Sequence, residues 1–194
     1  MELKDAIYGR RSVRKYLDRP VPRELIREIL EGACMAPSGI NRQPWYFMAI
    51  TDHGMREKYL GYMNETFARF RPALEKRFSR NPEVIGETGA FFNTLGGAPV
   101  VILVFLLNEE LKESDSEITL VQGIGAAIQN LLLMAYDKGL ACCWTTAPVV
   151  SGLGEEIRAE FAPDKGGFLA AVTLGYPDQA PKAPPRRAGR FDIV

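Results

Sequence analysis

Residues 98 to 107 form an uninterrupted apolar run, and no other stretch limits the possible folds of this chain so strongly. The run is about half the length that crosses a bilayer. It is also too hydrophobic for the edge of a sheet, where one side of a strand meets water. The eight apolar residues after Pro99 therefore predict a central strand over 99–107, covered on both faces. Three more strands are expected at 45–50, which is aromatic and apolar enough for burial on both faces, at 140–144 and at 168–174.

Helical spacing supplies the covering layers. Leu3, Ala6 and Ile7 predict a short first helix, and Leu25, Ile26, Ile29, Leu30 and Ala33 a second that begins at Pro22 and stops by Pro37. Met55, Tyr59, Met63, Phe67, Phe70, Leu74 and Phe78 mark a long helix that Pro72 kinks or interrupts. Ile118, Val121, Ile128, Leu132 and Ala135 mark another, closing at Gly139; its Gly123, Gly125, Ala126 and Ala127 allow a second backbone to come close. Ser151 is expected to open a short helix reaching Phe161. Residues 80–97 show little periodicity, with Phe91 and Phe92 as anchors, and fit either a pocket cover or a surface loop.

Composition narrows the function classes. With 24 basic and 24 acidic residues the net charge is zero, which argues against broad binding to nucleic acid or to an anionic membrane. A start without an apolar signal region points to the cytoplasm. Cys34, Cys142 and Cys143 suit free thiols rather than a disulfide framework, and a lone histidine, His53, leaves neither a metal site nor a Ser-His-Asp triad with its ligands at workable spacing.

Against that neutral background, Arg10, Arg11, Arg14 and Lys15 crowd around Ser12. Guanidinium forks and a hydroxyl in one turn suit phosphate oxygens, although a solvated basic loop has the same composition. The loop Ala36-Pro37-Ser38-Gly39-Ile40-Asn41-Arg42-Gln43-Pro44-Trp45 carries amides and a hydroxyl that serve either a polar ligand or their own backbone. A polar turn, Thr145-Thr146-Ala147-Pro148, follows the third strand. From 177 to 185 the chain is rich in proline, then Arg186, Arg187 and Arg190 precede Phe191-Asp192-Ile193-Val194. An extended arm with an apolar end is best accommodated at a sheet edge, that of a partner subunit included.

Taken together, Arg10 to Tyr16, Ala36-Pro37-Ser38 through Asn41, Gln43-Pro44-Trp45, Gln129-Asn130-Leu131-Leu132-Leu133 with Gly139-Leu140, and Leu174-Gly175-Tyr176-Pro177 resemble the nitroreductase family of FMN-dependent oxidoreductases, in order and spacing. The resemblance implies an α+β fold over residues 1–194, with a central, mostly antiparallel sheet flanked by helices. It further implies an intertwined homodimer, with a C-terminal arm (177–194) extending to the partner and FMN at the subunit interface. Carried over by position, Arg10 and Ser12, with Arg11 beside them, match the phosphate site, and Arg14 matches a cation near the flavin's pyrimidine edge. Pro37, Ser38, Asn41 and Gln43 match the loop given by the other subunit. Thr146 and Ala147 match the turn facing N5 and O4, and Arg187, more than Arg186, the tail residue that returns to the phosphate. The family's acidic residue near position 123 is here glycine, and Ala147 stands where glycine is common.

The implied activity is transfer of electrons from NADH or NADPH, through FMN, to a nitroaromatic, quinone or similar electron-poor molecule by ping-pong kinetics. The flavin carries the chemistry, so no catalytic side chain is expected beyond electrostatic support from Arg14. A specialised relative (dehalogenation, enone reduction, flavin breakdown) and a flavin storage protein are the alternatives.

Overall fold

Residues 1–107 and 116–194 are described in this computed structural model. The apolar run forms β2 (Val100–Leu106), an interior strand of a four-stranded antiparallel sheet ordered β1-β2-β4-β3, with β1 (Trp45–Ile50), β3 (Ala141–Thr145) and β4 (Phe168–Gly175). Its alternation is read out on two faces. Val100, Ile102 and Val104 join one buried cluster, whereas Val101, Leu103 and Phe105 join the other.

α2 (Arg23–Cys34) and α5 (Glu117–Asp137) cover the first face. In α5 the buried positions Leu120, Gly123, Ile124, Ala127, Ile128, Leu131, Leu132 and Ala135 recur every three or four residues, while Ile118 and Val121 are exposed. This helix is long and apolar enough to cross a membrane by length and composition, but its buried stripe packs on the sheet. α3 (His53–Arg77), α4 (Pro82–Thr94) and α7 (Gly154–Phe161) lie on the second face. α1 (Leu3–Gly9) leads into the basic segment, and α6 (Ala147–Val150) follows β3.

Several expectations need correction. Residues 80–97 are not a loop: α4 occupies most of them, starting with Pro82 at its first turn. Gly86 and Gly89 hid the helix by lowering its propensity, yet a Cβ at Gly89 would stand 2.8 Å from the Phe67 ring, so that glycine permits close packing. β1 is an edge strand whose inner residues are only half-buried, because no described strand pairs with its outer side. Pro72 does not end α3; it sits on an exposed face, so the carbonyl that its missing N–H leaves unpaired is open to solvent. Pro22 is the N-cap of α2 rather than its first residue, and Ser151 closes α6 instead of opening α7.

Candidate functional site

The segment from Arg10 to Tyr16 lies along the outer edge of β3. Ser12 bridges Cys142 in parallel, and the Val13 N–H donates to the Cys142 carbonyl at 3.0 Å. Further along, the Tyr16 N–H donates to Gly96 O and the Leu17 N–H to Tyr176 O, both at 2.9 Å. Val13 and Tyr16 point inward and are buried with Ala98 and Ala141. The Tyr16 hydroxyl donates its one proton to Val13 O at 2.7 Å and accepts from Thr173 Oγ1, also at 2.7 Å. Burial, the largest cause, pushes the Tyr16 phenol well above its ordinary pKa, so it remains a neutral tether. Tyr16→Phe is expected to lower stability by about 1–2 kcal/mol, the scale for removing one partner of a buried bond. A urea melt with a lower midpoint and unchanged slope would show it.

This tether turns the polar side chains outward. The Arg10 and Ser12 side chains make no hydrogen bond or ion pair within the described residues, which leaves their donors available to a ligand. Arg11 is used differently: its Nη1 donates to Tyr8 O at 2.8 Å and Arg10 O at 2.7 Å, closing the C-terminal end of α1. The Arg14 N–H donates to the Gln179 side chain, and its guanidinium carbon sits 5.9 Å from the Phe91 ring centroid. Two clefts flank Arg14, of about 340 Å³ toward Trp144 and Thr145 and about 660 Å³ toward Lys15, Asp178 and Gln179. Both are bounded by α4, through Glu87 and Phe91.

Cys142 and Cys143 back this edge from inside. Burial raises both thiols, against smaller lowering by Arg10 on each and by Arg14 on Cys143. They are protonated packing groups at neutral pH. At the far end of β3, Thr146 is the N-cap of α6, and the Ala147 N–H is held by Thr145 Oγ1 at 3.2 Å.

The other predicted loop lies elsewhere. Ser38 Oγ accepts from Gln43 N at 2.8 Å, the Gln43 side-chain amide donates to Asn41 Oδ1 at 3.1 Å, and Ile40, Asn41 and Gln43 all adopt positive φ. Such strain in non-glycine residues persists only where the surroundings over-determine it. The support is α5: a Cβ at Gly123 would stand 3.2 Å from Ser38 Cβ, which accounts for the glycine at this position. Pro37 is exposed at the start of this loop.

Sheet geometry keeps the two halves apart within one chain. The loop enters β1 at Trp45, which pairs with Leu106, whereas Ser12 bridges Cys142, which pairs with Leu174 opposite Val100. Opposite edges are three strand spacings apart, about 14 Å, and the six steps from Val100 to Leu106 add about 20 Å along the strands. Arg186 and Arg187 are exposed in a tail without regular structure. Gly96, Glu87 and Gln179 carry no sequence signal of their own: Glu87 sits on α4, whose glycines mask its periodicity, Gly96 in the short turn that follows α4, and Gln179 at the start of the tail.

The Nitroreductase family model matches residues 7–176, from α1 through the end of β4. The chain belongs to the nitroreductase family. Among relatives, the Bacillus subtilis (strain 168) protein YfhC, named as a candidate NAD(P)H nitroreductase, is 31% identical, covering 95% of this chain and 89% of its own. Iodotyrosine deiodinase 1 of Rattus norvegicus is 25% identical over 100% of this chain and 68% of its own. A solved Desulfovibrio desulfuricans structure, described as a nitroreductase candidate in complex with FMN, superposes with a TM-score of 0.72 at 28% identity, covering 100% of this chain and 98% of that one. The α+β architecture with its antiparallel sheet is thus the nitroreductase-like fold.

Proposed function

We propose that this nitroreductase-family chain is an FMN-dependent oxidoreductase that carries electrons from NADH or NADPH to an electron-poor small molecule such as a nitroaromatic or quinone. The observation that carries the reading is the outer edge of β3. There the unpartnered donors of Arg10 and Ser12 stand at one end and the Thr146–Ala147 turn at the other, with Arg14 between them and the smaller cleft alongside, left to a substrate ring. From Cys142, the partner of Ser12, to Thr146 is four residues of extended chain, about 13 Å, a span suited to a mononucleotide lying along the edge.

The donor chemistry fits FMN. Arg10 and Ser12 would hold the phosphate, joined by Arg187 or Arg186 from the tail, while Arg11 braces the segment. Arg14 would face the pyrimidine edge and favour negative charge there. Thr146 and Ala147 would line the ring. The bound flavin would supply hydride acceptance and release, so no side-chain nucleophile is required. Nicotinamide and acceptor taking turns on the same face of the ring would give ping-pong kinetics.

A homodimer completes this arrangement. Pro37, Ser38, Asn41 and Gln43 would reach the β3 edge from a second copy, since their own chain holds them at the opposite edge. Exposed Leu3 and Ile7 on α1, and Ile118 and Val121 at the start of α5, offer apolar surface for such contacts. The open edge of β1 and the exposed Phe191, Ile193 and Val194 suit an exchange of tails between copies.

Purified protein reconstituted with FMN is expected to lose its flavin absorbance when mixed anaerobically with NADH or NADPH. Retained colour would leave a storage role, and failure to bind FMN would overturn the reading altogether. Arg10→Ala and Ser12→Ala are each expected to weaken FMN binding about tenfold or more, the scale of one charge-assisted bond; unchanged affinity in both removes the segment from the site. A second reading, reductive dehalogenation, draws on the deiodinase likeness across the whole chain. Iodide release from an iodinated tyrosine by the reduced protein distinguishes it.

A further inference from the structure

Among the described residues, Glu87 is the one carboxylate that lines both clefts beside Arg14. It projects from α4 and forms no ion pair or hydrogen bond with the described residues. In the smaller cleft, of about 340 Å³, the only charged lining groups among the described residues are Arg14 and Glu87. The other walls include the rings of Phe91, Phe92 and Trp144, giving a slot for one planar aromatic molecule.

We propose that Glu87 selects the electron acceptor by charge, admitting neutral or cationic planar rings and disfavouring carboxylated ones. The inference rests on the flavin reading above, in which Arg14 is committed to the cofactor's pyrimidine edge. Arg14 also lies against the Phe91 face, so its charge is shared on that side as well. Glu87 is then the unmatched charge that an incoming ring meets. Like charges a few ångströms apart in a cleft repel more than in bulk water, and because Glu87 is exposed, solvent and salt hold the effect to a modest size.

Benzamidinium, benzamide and benzoate share one planar shape and differ in charge, so they isolate this effect. Calorimetric titration of each into oxidised, FMN-loaded protein measures binding without turnover. Wild-type protein is expected to bind benzamidinium about three- to tenfold more tightly than benzoate, with benzamide between them. Glu87→Gln should remove that order and Glu87→Lys reverse it, with flavin retained in both. Benzoate binding as tightly as benzamidinium, an order that survives Glu87→Gln, or no binding by any of the three overturns the proposal. Protein that fails to retain FMN at the outset counts instead against the flavin reading, so the two failures are distinguishable.

Discussion

Gly96→Ala is expected to dislodge the basic segment from β3, lowering stability by about 2–4 kcal/mol and FMN affinity by well over tenfold. Gly96 has φ +65°, and a Cβ there would stand 2.1 Å from the carbonyl oxygen of Arg14 and 2.7 Å from its carbonyl carbon. The obstructing atoms are backbone, so no rotamer change relieves the overlap. The Gly96 carbonyl also accepts the Tyr16 N–H at 2.9 Å, which fixes the segment to the same residue from the other side. Moving Arg14 away from Gly96 would therefore strain the Tyr16 anchor, and with it the Val13 and Thr173 bonds of the phenol. Gly97 is the internal control. Its φ is +76°, but its nearest neighbour to an added Cβ is Tyr16 O at 3.6 Å, an ordinary contact. Gly97→Ala should cost only the left-handed backbone, about 1–2 kcal/mol, and leave FMN affinity near wild type. Chemical denaturation with a flavin-fluorescence titration of both variants checks the contrast; equal behaviour would show that the steric seat of Arg14 has no part in the site.

The sheet was legible because its signal is local. The run at 98–107 is apolar at every position, and burial of Val100 through Phe105 on two faces follows from that. β1 is harder to read for a related reason: its aromatic content is that of an interior strand, and nothing within 45–50 reports that no described strand pairs with its outer side. α4 was hidden by two glycines, although Val84, Ile85, Thr88, Phe91 and Phe92 keep a helical spacing across them. The basic segment could be picked out by charge against a neutral background. The split between Arg10 and Arg11 could not, because it depends on which guanidinium turns back to cap α1. Nor did the sequence disclose the separation of the two candidate half-sites, which is a property of strand order.

That separation leads to the most demanding test. If the site combines the Arg10 edge of one copy with the Ser38 and Asn41 loop of another, then Arg10→Ala and a Ser38→Ala, Asn41→Ala pair should each strip FMN from their own homodimers. A mixed dimer behaves differently. One of its sites collects both lesions, and the other collects neither, because each variant brings its intact half to the partner that needs it. Random exchange between equal amounts of the two variants makes about half of the dimers mixed, so about one quarter of all sites should regain FMN. Isolating the mixed dimers through two different tags should raise this to about one half. FMN content per chain, with anaerobic bleaching of the recovered flavin, measures it. Mixed dimers that form and remain colourless would place both lesions in one chain's site. The strand register that sets Ser12, one strand spacing beyond β3, and Trp45 about 19 Å apart across the sheet and about 20 Å along it makes that outcome hard to reconcile with this fold.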